Sequence, residues 1–171
     1  LLVRQGRSAA ARALLDDAPP AQVRHAFDAL FAAWIAWLDG DADSCRERLE
    51  RCAALADTNR DPYTECMALA ALGQLERRAG RWGAAEALLR AAMARHPGHR
   101  AEIGAWLAAV AADHDPAEAT RALAAVDPTL LGARCAEWTL GRRADLPPLP
   151  NGHELVDRIG FEVTLALGAR P

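Results

Sequence analysis

Residues 66–99 constrain this chain more than any other stretch. They read CMALAALGQLERRAGRWGAAEALLRAAMARHPGH. Leu69, Leu72 and Gly73 fall on one side of a helix, because positions three and four apart share a face. Gly80, Arg81 and Trp82 then interrupt the helix. Ala85, Leu89 and Ala92 form a second stripe, and Pro97 closes the unit. Gly73, Ala85 and Ala92 carry little bulk, so two helices can approach closely at those points. A helix pair this short cannot cover its own apolar face, so neighbours of the same kind are expected.

Those neighbours are visible along the chain. Gly6-Arg7-Ser8 followed by Ala11, Leu14 and Leu15 matches Gly80-Arg81-Trp82 followed by Ala85, Leu88 and Leu89. Gly40 heads Cys45, Leu49 and Cys52, with a partner helix over 21–38. From Gly6 to Gly40 is 34 residues and from Gly40 to Gly80 is 40; the extra six fall in 56–61, expected as a longer loop. Another 34 lead to His114, inside a unit over 100–131 with Ile103, Trp106, Ala119, Leu123 and Val126 at matching places. Asp61-Pro62, Asp115-Pro116 and Asp127-Pro128 each set a capping carboxylate before a proline at the first helical position. Asp115 with Glu118 and Asn151 with Glu154 have capping-box spacing. Leu146, Leu149 and the prolines around them should be extended, and a last helix from about Gly152 to Leu167 should end at Gly168.

These features resemble the tetratricopeptide repeat (TPR) family. The resemblance covers roughly residues 1–131, with departures at Ala33 and Leu107, where the Leu-Gly pair lacks its glycine, and at His114, where the interhelix glycine belongs. It implies an all-α fold, a right-handed superhelix (solenoid) of antiparallel helix pairs. The expected organisation is one domain: a partial repeat at 1–20, repeats at 21–56, 62–99 and 100–131, and a C-terminal cap over 132–171 that closes the open end. The chain opens without Met on LLVRQGRSAAARALL, which reads like the middle of a repeat, so a longer polypeptide is expected.

Composition agrees and excludes several chemistries. Alanine, leucine and arginine dominate, with three Phe and one Tyr, which suits helices packed through small residues rather than a sheet. All 20 basic residues are Arg, so a Schiff-base or phosphate-loop lysine is ruled out. The net charge of −3, with both signs interspersed, gives no footprint for nucleic acid or an acidic membrane. Cys45, Cys52, Cys66 and Cys135 have no zinc or disulfide-framework spacing and read as small apolar residues in a reducing cytoplasm. His153-Glu154 with Asp157 lacks the second histidine of a metalloprotease helix. No catalysis, metal or cofactor is expected.

In TPR proteins the first helix of each pair lines a concave groove, so the resemblance implies a site on those helices. The face in the complete unit carries Met67, Gln74, Arg77 and Arg78, and the equivalent face forty residues earlier carries Phe27, Phe31, Trp34 and Trp37. The third unit offers Gly104 and small alanines. Such a wall would suit an apolar peptide or helix with a charged end. A helix over 21–38 that is apolar nearly all round also fits an interior position, and Arg77 and Arg78 also fit a solvated helix end. The resulting expectation is a scaffold that captures a protein or peptide partner. The alternative is a regulatory, sensor or self-association region of a larger bacterial transcription regulator or signalling ATPase.

Overall fold

Aspartates start three of the helices. Asp41, Asp61 and Asp115 each accept a backbone N–H from the residue three positions on, at 2.9, 3.1 and 3.0 Å. The computed structural model describes residues 25–146 and 154–168, with Ala9, Ala13 and Leu149 besides. Among the described residues the chain is all-helical: α1 (Ala26–Leu38), α2 (Ala42–Asn59), α3 (Pro62–Arg78), α4 (Trp82–Arg95), a 3-10 turn (Pro97–His99), α5 (Arg100–Ala112), α6 (Pro116–Leu123), α7 (Leu131–Thr139) and α8 (Leu155–Gly168). The partial repeat at 1–20, the start of the 21–38 helix, the prolines 147, 148 and 150 and the Asn151 cap lie outside the described residues, Ala9 and Ala13 excepted.

Consecutive helices pack on one another from α1 to α6. Gly40 and Gly80 turn the chain between partners with φ of 79° and 73°, a region that costs a residue with a Cβ. Two of the stripes read from the sequence are buried throughout, Cys45, Leu49 and Cys52 on α2 and Ala85, Leu89 and Ala92 on α4, whereas in the stripe on α3 Leu72 and Gly73 are buried and Leu69 is half-buried. At Gly73 a side chain would meet Leu89 Cγ at 3.0 Å and the Ala85 carbonyl at 3.2 Å, so α3 and α4 touch where the small residues allow it.

Four local expectations are corrected. The segment 56–61 is not a loop; α2 continues to Asn59 and only Arg60, with φ 55°, and Asp61 connect it to α3. The second helix of the 100–131 unit stops at Leu123, leaving Val126 outside it. Asp127-Pro128 does not start a helix: the Asp127 carboxylate takes the backbone N–H and hydroxyl of Thr129, closing a turn, and α7 begins at Leu131. Finally, the last helix does not stand at the end of the array. It lies on α3 and α7 and also reaches α1 and α5 through side chains.

Candidate functional site

α8 lies on α3 and α7, and side chains of α1 and α5, the first helices of the neighbouring pairs, reach it as well. The buried residues of α8 fall into two rows with a four-residue step: Leu155, Ile159 and Val163, then Val156, Gly160 and Thr164. At 3.6 residues per turn these rows make a single apolar stripe, with Asp157 and Glu162 on opposite flanks, about 110° either side of its centre. Each flank carboxylate accepts from an indole. Trp106 Nε1 on α5 donates to Asp157 Oδ1 at 3.0 Å, and Trp37 Nε1 on α1 donates to Glu162 Oε2 at 2.8 Å. Arg158, one turn before Glu162, pairs with it as well.

Between the two indoles stands Arg77 of α3, with a fully buried side chain. Its Nε and Nη2 hold the two oxygens of Asp113 at 2.6 and 3.1 Å, a two-pronged pairing. Nη1 reaches the Thr164 hydroxyl at 3.0 Å and the Gly160 carbonyl at 3.4 Å. One guanidinium therefore ties the end of α5 and the middle of α8 to α3. Thr164 returns its own hydroxyl hydrogen to the Gly160 carbonyl at 2.9 Å. The close seat depends on Gly160: a Cβ there would lie 2.7 Å from the Trp106 ring.

The expected site residues separate accordingly. Trp34, Met67, Gln74 and Arg77 are buried, so as the chain stands they offer no open wall or polar patch. Interior packing therefore describes Trp34, and Arg77 is neither solvated nor free to clamp a foreign carboxylate, because it already clamps Asp113. The Gln74 amide is fully buried with no hydrogen-bond partner among the described residues. Phe27 stays 46% exposed and stacks edge-on against half-buried Phe31 at 4.7 Å. Arg78 is exposed, its guanidinium 5.3 Å from the centre of the Trp37 ring. A cleft of about 220 Å³ opens beside it, lined by Trp37, Arg78, Glu162, Val163 and Ala166, where α8 leaves α1.

Trp106, Asp113, Asp157, Glu162 and Thr164 were not among the expected site residues. The repeat pattern set Trp106 toward α6, whereas its ring meets Gly160 of α8. A detectable signal was present in α8: two four-residue rows flanked by carboxylates five positions apart. His114, in place of the interhelix glycine, stacks on Trp82 at 5.7 Å and sets Nε2 3.4 Å from Glu86.

Other chemistry is sparse among the described residues. Glu76 holds Arg81 and Arg46; the hydrogen bond from Arg81 keeps its carboxyl below the usual range, against the opposing effect of burial. All four cysteines are free and buried. Burial pushes the Cys45 and Cys52 thiols up to about 12 and those of Cys66 and Cys135 to about 11, the opposite of an activated nucleophile. No group of three or more His, Cys, Asp or Glu among the described residues is placed to hold a metal ion. No described helix is long and apolar enough to cross a membrane. No family model matches the chain, and no curated protein or solved structure does.

Proposed function

We propose that this chain is an interaction scaffold of TPR type, with its helix pairs stacked as a right-handed superhelix, whose α1–α3–α5 face holds a helix of a partner protein. One observation carries this reading: α8 lies along α3 and is held by side chains of all three first helices, Trp37, Arg77 and Trp106. The face is thus chemically equipped to grip a helix, by an apolar stripe for area and by side-chain donors for register. Four free cysteines fit a reducing compartment such as the cytoplasm.

Occupation of the face in cis favours a regulated version of the same role. A groove filled by its own tethered helix admits a partner only when that helix leaves, because tethering gives α8 a high effective concentration. That is the behaviour of a regulatory region in a larger protein, such as a transcription regulator or signalling ATPase.

The test uses the full chain. Ile159→Asp places a charge in the fully buried row of α8 and should unseat it. Isothermal titration calorimetry should then show one peptide with the sequence of 154–168 bound per chain. The unmodified chain should bind the same peptide about tenfold more weakly or worse. A folded Ile159→Asp chain that does not bind the peptide would refute the proposal.

A further inference from the structure

The end of α3 gathers positive charge in a chain whose acidic residues outnumber its arginines, 23 against 20. Arg78 closes that helix, Arg81 stands in the turn before α4, and Arg46 belongs to the start of α2. All three open onto one cleft of about 310 Å³, with Ala42, Asp43 and Leu75 making up most of the remaining wall. We infer that this cleft is a binding site for a phosphate monoester. The inference does not depend on the seat of α8.

Two of the guanidiniums are positioned before any ligand arrives. Arg46 Nη1 and Arg81 Nε each donate to one oxygen of Glu76, whose side chain is 9% exposed. Both carboxylate oxygens are thereby used. Nε and Nη2 of Arg46 and both Nη groups of Arg81 have no acceptor among the described residues. Arg78 pairs with no carboxylate among the described residues; its guanidinium lies over the Trp37 ring, 5.3 Å from the ring centre, a contact that holds a cation in place. Side chains ordered in this way lose less rotamer freedom when they bind an anion.

The count of charges and donors favours phosphate over a simple carboxylate. Three guanidiniums against Glu76 leave an excess of two positive charges, which Asp43 lowers to one. Asp43 is exposed, so water and salt screen it, and the excess that a ligand meets lies between those limits. A phosphate monoester carries about −1.5 to −2 charges at neutral pH and offers three terminal oxygens. Those oxygens can face three guanidinium forks, whereas the two oxygens of a carboxylate lie in one plane and suit one fork. α4 begins at the residue after Arg81 without a side-chain cap, adding the positive end of its dipole. A nucleic acid would require such charge repeated along a stripe, and both signs are interspersed along this chain.

The test uses the whole chain and isothermal titration calorimetry at low salt. Glycerol 3-phosphate stands for a small phosphorylated molecule, and a blocked peptide with one phosphoserine stands for a modified protein. At least one should occupy one site per chain with a Kd of about 1 mM or below, and acetate should bind at least about tenfold more weakly. A clear preference for one probe identifies the source of the phosphate, and equal affinities mean that the phosphate alone is recognised. Arg78→Gln and Arg81→Gln should each weaken binding about tenfold, whereas Arg90→Gln, on α4 and outside the cleft, should leave it unchanged. Asp43→Asn removes a competing carboxylate from the wall and should tighten binding about threefold.

Arg78 has no carboxylate to lose, so Arg78→Gln should keep the fold, which circular dichroism checks. No saturable binding of either probe to the unmodified chain would overturn the site. Equal losses in Arg78→Gln and Arg90→Gln would overturn it too, by reducing the attraction to general positive charge. Acetate binding as tightly as the phosphates would overturn the ligand class. Vesicles of phosphatidylcholine with phosphatidic acid that capture the chain while both soluble probes fail would replace the cleft by a membrane-facing surface.

Discussion

α3 and α4 are neighbours in the chain and partners in packing, yet their surroundings differ. From Thr64 to Arg77 every residue of α3 except Leu69 is buried, including Glu65, Gln74, Glu76 and Arg77. α4 buries only Ala85, Leu89 and Ala92, with Arg90 and Arg95 in solvent. Alanine and leucine make up 6 of the 17 residues of α3 and 8 of the 14 of α4, so composition would make the less buried helix the more apolar one. What separates them is coverage: α3 is packed by α2, α4 and α8, whereas among the described residues no helix is laid over the outer side of α4. A helix with one apolar stripe is stable with one covered side, whereas a helix covered all round must place its polar groups against partners.

This contrast can be broken most severely at Arg77. Arg77→Ala should cost about 3–5 kcal/mol in urea denaturation, because Asp113, with a side chain 5% exposed, would be left as a buried carboxylate without its guanidinium. A loss below 1 kcal/mol would mean that α8 does not seal that face. Ala85→Leu probes the one buried stripe of α4. It forces bulk against Gly73, whose own position is already 3.2 Å by its would-be Cβ from the Ala85 carbonyl, and should cost about 1–3 kcal/mol. An unchanged melting temperature would mean that the two helices do not meet there.

Gln74 sharpens the comparison in the opposite direction. Gln74→Leu removes a buried amide without partners among the described residues and should raise stability by about 1 kcal/mol. A loss of similar size would show that the amide is satisfied by bound water. Cys66 reports the covered face of α3 through pH. Burial first, then the nearby carboxylates of Glu102 and Glu65, push its thiol up to about 11 from 9.0. Between those values the unfolded chain loses the proton and the folded chain keeps it, so stability falls as pH rises. Relative to Cys66→Ala, the unmodified chain should lose about 1 kcal/mol more between pH 8 and pH 10. Parallel pH profiles for the two chains would place Cys66 in contact with water. The smallest effect belongs to the open side of α4: Arg90→Ala removes an exposed pair with Glu86 and should change stability by less than about 0.5 kcal/mol.

The reading from the sequence succeeded where chemistry is local. Asp61 and Asp115 cap their helices because a carboxylate and a backbone N–H three residues on always meet at a helix start. Gly40 and Gly80 turn because no Cβ resists a positive φ. It failed first where a local signal has two outcomes. Asp127-Pro128 can open a helix or close a turn, and the Thr129 hydroxyl and amide bind the carboxylate in the second way. Polar residues 56–61 fit a loop or an exposed helix end equally well, and α2 took most of them.

For the site, the positions on the first helices were legible but their state was not. Phe27, Phe31, Trp34, Met67, Gln74, Arg77 and Arg78 were selected by periodicity, which fixes only which residues share a face. Whether that face is open depends on a helix some ninety residues away in sequence. Trp37 and Glu162 are separated by 125 positions, and Arg77 and Thr164 by 87. No spacing rule within a helix reaches such partners. The residues alone therefore determined helices, caps, turns and the stripes by which α2 and α4 join their partners, because each follows from neighbours a few positions apart. The tertiary structure alone decided that α8 covers the first helices, that Arg77 is a buried clamp on Asp113, and that two indoles face two carboxylates. Those contacts depend on where distant surfaces come to rest, a matter of summed burial and donor–acceptor matching across the whole chain rather than of any local pattern.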